Sequence, residues 1–165
     1  MEAGTKPNRR LPEQHRKGGL PIGSVGIKRP DGFFDYLFNI CFPKDHPVNT
    51  GGVPEGLKPV DFSQTDVSEV EPFHDPDAHV ANPTGVAALS DGFVSMHPEG
   101  AILMLPDGST RIDFEKEKIF RQYATRNAHR WFTYVEDARG RDSEDLSLYI
   151  ITGTDKSSSF GVASF

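Results

Sequence analysis

Residues 101–165 run AILMLPDGSTRIDFEKEKIFRQYATRNAHRWFTYVEDARGRDSEDLSLYIITGTDKSSSFGVASF, and their pattern decides the fold class. The first five residues are apolar and Pro106-Asp107-Gly108 is a tight-turn signal, so a strand over Gly100–Leu105 ends in a turn. Asp113 then stands as an N-cap, with Glu115 and Glu117 in the first turn, where the helix dipole favours acids. Ile119, Phe120, Tyr123, Ala124, Asn127, Trp131, Tyr134, Val135 and Ala138 recur at three- and four-residue spacing and share one stripe. Arg139 in the last turn and Gly140 at C′ close the helix, which the pattern places over Phe114–Arg139. Leu146–Ile151 reads as a strand, Thr152–Ser158 as a turn, and Phe160–Phe165 as a further strand. The expectation is an α+β single domain: a largely antiparallel sheet with one long helix packed on one face.

The opposite arc of that helix carries Lys118, Arg121, Gln122, Thr125, Arg126, His129, Thr133 and Glu136. Asn127 interrupts the apolar stripe. An unpaired amide there costs about 1–3 kcal/mol, so it is expected to bond a backbone group of the sheet or a neighbouring loop. Phe132 falls toward the polar side, either covered by the long acidic loop or presented to a partner. Trp131 and Tyr134 fit a helix core better than a cofactor box.

Upstream, Phe33–Phe42 is a ten-residue apolar run suited to a buried strand, with a short helix as the competing assignment, and Pro43 ends it. Residues 1–19, with Lys6, Arg9, Arg10, Arg16 and Lys17, read as a flexible basic arm, and the single domain is expected to span 20–165. Pro54–Asn82 is loop-like, with strand fragments expected at Val60–Phe62 and Val67–Val70. Gly85–Met96 reads as a strand in this pattern.

The 165 residues carry a formal charge of −6, which argues against general affinity for nucleic acid or anionic membrane. Between Pro59 and Thr110 nine acids occur with no Lys or Arg, whereas Arg111–Arg141 holds eight basic residues and five acids. Two solvated surfaces explain this asymmetry, and an acidic loop paired with a basic helix face is the alternative. Cys41 is the sole cysteine, which excludes an internal disulfide and favours a reducing compartment. Neither a signal-peptide pattern nor a ~20-residue apolar stretch is present, so we expect a cytoplasmic or nuclear protein.

Chemistry-bearing patterns are sparse. Ile150–Ser159 resembles a phosphate-binding loop, with Thr152, Gly153, Lys156 and Ser157 as its candidate ligand residues. Asp155 stands where that loop has a Gly before its Lys, and the segment that follows reads as strand rather than helix. His74, Asp75, Asp77 and His79 have a spacing that two more groups could complete into a metal site, and mobile solvated histidines are the simpler reading. No Gly-x-Ser-x-Gly occurs, and Cys41 has no basic neighbour in sequence. No cofactor is indicated.

Several motifs resemble a family of uncharacterised proteins abundant in mushroom-forming basidiomycete fungi. They are Leu103-Met104-Leu105-Pro106-Asp107-Gly108, Phe120-Arg121-Gln122-Tyr123-Ala124, Asn127–Phe132, and Leu148–Gly153 with Lys156. Phe33, Leu37–Cys41 and Pro43–Pro47 are similar to that family's N-terminal block. The resemblance implies an intracellular fungal protein and one unit over Leu20–Phe165, and it brings no activity. This chain has Phe160 where relatives tend to show Trp, and it ends where they tend to continue. The expected function is a non-catalytic interaction or regulatory module, more consistent with a binding protein than an enzyme, with Arg121, Arg126, His129 and Phe132 contacting a protein partner. A nucleotide- or phosphate-binding domain or enzyme using 152–159 is the alternative.

Overall fold

The computed structural model describes residues 18–29, 34–82, 86–89, 92–95, 99–139 and 147–164. The fold is mixed α+β and dominated by small antiparallel sheets beside one long helix. The chain divides into two compact units, one formed by residues 5–68 and 112–154 and the other by 1–4, 69–111 and 155–165. The basic arm, apart from Gly18 and Gly19, lies outside the described residues, as do Phe33, Gly85, Met96, Gly140 and Phe165.

In the helical unit, β1 (Ser24–Lys28) pairs with β2 (Phe34–Asn39) on one side and β9 (Leu148–Ile150) on the other, both antiparallel. The apolar run expected over ten residues thus contributes six to the strand. The chain then bends, and a 3₁₀ turn at Pro47–Asn49 follows. Helix α1 (Glu117–Arg139) lays its apolar stripe on this unit's core. Phe38 meets Trp131 and Tyr134 edge-on at 5.6 and 5.7 Å, while Phe114 stacks on Phe120 at 4.3 Å. Burying each of these large side chains contributes about 1.5–3 kcal/mol, which outweighs intrinsic helix propensity.

The helix begins later than the capping pattern indicates. Asp113 and Phe114 belong to β8 (Ser109–Phe114), and a turn at 115–116 precedes α1. The competing force is the backbone ladder. Phe114 N–H donates to Thr152 O at 2.8 Å and Glu115 N–H donates to Asp66 O at 3.0 Å, so both donors are committed outside a helix. The side chain of Phe114 is buried against Phe62 and Phe120.

In the other unit, β4 (Ala78–Asn82), β7 (Ala101–Leu105) and β11 (Gly161–Ser164) form an antiparallel sheet in the order β11-β7-β4. The region assigned to a single strand over Gly85–Met96 is instead a hairpin of β5 (Val86–Leu89) and β6 (Gly92–Ser95). The ladder runs from Val86 opposite Ser95 to Leu89 opposite Gly92, so the run pairs with itself instead of continuing as one strand. A third sheet has the order β10-β8-β3, with β3 at Val67–His74 and β10 at Gly153–Lys156. Within the long acidic segment 54–82, Val67–His74 and Ala78–Asn82 are strands because both find ladder partners, while the fragment expected at Val60–Phe62 is not a strand. The single expected sheet is divided into smaller ones for a related reason: β3, β7 and β10 each pass through a tight turn into a strand of a different sheet.

Those three turns interlock. Gly108 N–H closes the Leu105–Gly108 turn on Leu105 O at 3.0 Å, and Asp77 N–H donates to Pro106 O at 3.1 Å. Gly108 has φ +72°, and a Cβ there would sit 2.5 Å from His74 O, so the position requires glycine twice over. Ser157 Oγ donates to Gly108 O or Ser159 O at 2.6 Å. The hydroxyls of Ser158 and Ser159 both donate to Asp107 Oδ2, at 2.7 and 2.6 Å.

Candidate interaction surface

The outer arc of α1 is the surface the sequence singles out. Arg121, Arg126 and His129 are exposed along it, together with Lys118, Gln122 and Arg130. From Lys118 to Val135 the helix contains no acid. Arg121 reaches Glu117 one turn back at 3.8 Å, an exposed contact too loose to hold the guanidinium. Thr125 and Thr133 hydroxyls turn back onto the carbonyls of Arg121 and His129, at 2.9 and 3.1 Å. The long cationic groups therefore form the outermost layer of the arc.

Phe132 is half-buried beside this arc. Asn127 does bond a backbone carbonyl, but one within its own helix: Nδ2 donates to Tyr123 O at 2.8 Å. The i−4 carbonyl lies within the side chain's own reach, so no sheet or loop acceptor is needed. The inner face is fixed at two further points and the turn leading into the helix at a third. Tyr123 Oη donates to Lys58 O at 2.6 Å, Tyr134 Oη donates to Gly51 O at 3.2 Å, and Lys116 pairs with Asp66. The Lys116 hydrogen bond, joined by the Ser63 backbone N–H, lowers the Asp66 carboxyl below its ordinary range.

The four residues of the expected phosphate loop occupy a strand and its exit. Gly153 and Lys156 lie within β10, Thr152 immediately precedes it and Ser157 follows it. The turn expected at Thr152–Ser158 is thus displaced to 157–160 by the pairing of β10 with β8. Thr152 O accepts from Phe114 N–H, and a Cβ at Gly153 would strike the Asp113 carboxylate. The glycine is accounted for by close approach within the sheet. Asp155, which directly precedes the Lys, is bound by Arg111 through two bonds of 2.7 Å, and this partner lowers its carboxyl.

Composition gave no hint of a second polar group in the same unit. His74 Nδ1 lies 2.8 Å from Ser109 Oγ, and Arg111 stacks 3.5 Å over the Phe73 ring. Ser109 is buried and its hydroxyl is engaged, so the pair serves packing between β3 and β8. His74, Asp75, Asp77 and His79 do not gather into a metal-holding group: among the described residues no three His, Cys, Asp or Glu side chains do. Cys41 is half-buried, and burial pushes its thiol up to about 12, the opposite of a reactive nucleophile. Among the described residues no helix is long and apolar enough to cross a membrane.

Comparison of the chain with protein-family models, with curated proteins and with solved structures finds no match.

Proposed function

We propose that this chain is a non-catalytic protein-interaction or regulatory module that engages its partner through the outer arc of α1. The observation that supports the reading is the division of labour on one helix. Its inner side is committed to the aromatic core, while Arg121, Arg126 and His129 stand exposed on the other side with no acid between Lys118 and Val135. Such an arc complements an acidic protein surface and contributes mainly to association rate and orientation. Phe132, half-buried at the margin, supplies an apolar contact. An intracellular setting accords with the lone Cys41 and with the resemblance to the basidiomycete family.

Replacing Arg121, Arg126 and His129 together by Glu is expected to abolish capture of a partner from cell extract while leaving the thermal midpoint unchanged. Undiminished capture by a folded variant overturns the proposal.

A further inference from the structure

Charge is divided unevenly between the two units. The unit built from 1–4, 69–111 and 155–165 holds nine of the chain's 24 acidic residues but only two of its 18 basic ones, so the net negative charge resides there. Two of these acids, Glu69 and Glu71, lie on β3, an edge strand of the β10-β8-β3 sheet, and two more, Asp75 and Asp77, lie just beyond it. Glu69, Val70, Glu71 and Pro72 are exposed one after another, and Asp75 and Asp77 are exposed in the turn that follows. Four consecutive exposed residues mean that both faces of the strand are open at this point. Acids and a proline on an edge discourage addition of another strand. What such an edge accepts is a cationic surface approaching from the side.

The same chain carries that surface on its other unit. We propose that copies of this protein associate head to tail, the Arg121–Arg126–His129 arc of one copy docking on the Glu69–Asp77 edge of the next. This rests on the reading of the arc as an interaction surface and names its occupant. Charge complementarity carries the choice: both halves of the contact are present in one sequence, on separate units. The contact is heterologous, so each added copy leaves one surface of each kind open and assembly continues into a ring or short filament. Being built from exposed charges, it is weak and strongly dependent on salt.

Sedimentation velocity of the full chain tests this at about 0.01 M and about 1 M sodium chloride, where the screening length is about 30 and about 3 Å. The expected result is concentration-dependent assembly at low salt and a monomer at high salt. E69K/E71K and R121E/R126E should each be monomeric at low salt with unchanged thermal midpoints. An equimolar mixture of the two should associate again, because each now complements the other. A wild-type monomer at low salt, or variants that assemble as well as wild type, overturns the proposal. A monomeric wild type whose R121E/R126E variant still loses partner capture overturns only the self-association and leaves the interaction-module reading standing.

Discussion

Arg111 holds Asp155 with both ends of its guanidinium, Nε to Oδ1 and Nη2 to Oδ2 at 2.7 Å, while its plane lies 3.5 Å over Phe73. The three residues lie on β8, β10 and β3, so one side chain ties together all the strands of a sheet. Fork geometry and stacking are properties of arginine that lysine lacks.

Arg111→Lys is therefore expected to behave more like Arg111→Ala than like wild type. Both partners are more than a third exposed, so the loss in each case is modest, about 0.5–2 kcal/mol for pair and stacking together. Urea unfolding of the two variants measures it. A lysine variant as stable as wild type shows that charge alone suffices.

The acid limb of stability follows from three carboxylates. Hydrogen bonds from Lys116, from Ser159 and Ser158, and from Arg111 lower Asp66, Asp107 and Asp155 respectively below the ordinary 3.8. The unfolded chain then binds more protons than the folded one in that window. The stabilisation is fully present above the unfolded value and is lost as pH falls through the folded values. Replacing all three by Asn should flatten the dependence of unfolding free energy on pH below about 4. A slope equal to that of wild type contradicts the assignment.

Asn49 organises the bend after β2. Its Oδ1 accepts from Asn39 N–H at 2.8 Å, and Nδ2 lies within 3.1 Å of the carbonyls of Asn39, Phe42 and Pro43. The residue is buried. Asn49→Ala leaves several backbone groups unpaired and is expected to cost about 2–4 kcal/mol. Asn49→Asp should cost more, since a carboxylate has no hydrogens for three facing carbonyls. Equilibrium unfolding ranks the two, and the reverse order refutes the donor role.

Cys41 should resist alkylation in the folded protein. With its thiol at about 12 the thiolate is scarce near neutrality, and burial also limits access. Iodoacetamide labelling at mildly alkaline pH should run at least about 100-fold slower than in denaturant. Comparable rates in the two conditions contradict the burial of this side chain.

The legible parts of this chain were those governed by local periodicity. The Ile119–Val135 stripe places the helix on its core, and Pro106-Asp107-Gly108 marks a turn that Gly108 closes. Where backbone partners come from far away, local signals mislead. Asp113 resembles an N-cap, yet the strand continues through Phe114 because Thr152 O takes its N–H. Prolines and acids at 54–82 suggest loop, yet an edge strand tolerates both, and β3 carries Glu69, Glu71 and Pro72. Gly153 and Lys156 suggest a ligand loop until their pairing with β8 is visible. The exposure of Arg121, Arg126 and His129 was readable from helical phase alone. The acidic edge at Glu69–Asp77 was not, since it depends on which strand lies outermost.

The interleaving of the two units has a consequence for biosynthesis. Each unit is assembled from separated stretches, and the helical unit needs β9 at Leu148–Ile150 to complete the sheet that β1 begins. The other needs β11 at Gly161–Ser164 beside β7. Neither can close while the ribosome has delivered only the first hundred residues. The aromatic residues of β2 are therefore made more than a hundred residues before the strand that completes their sheet, and apolar surface left open over that interval is prone to aggregate.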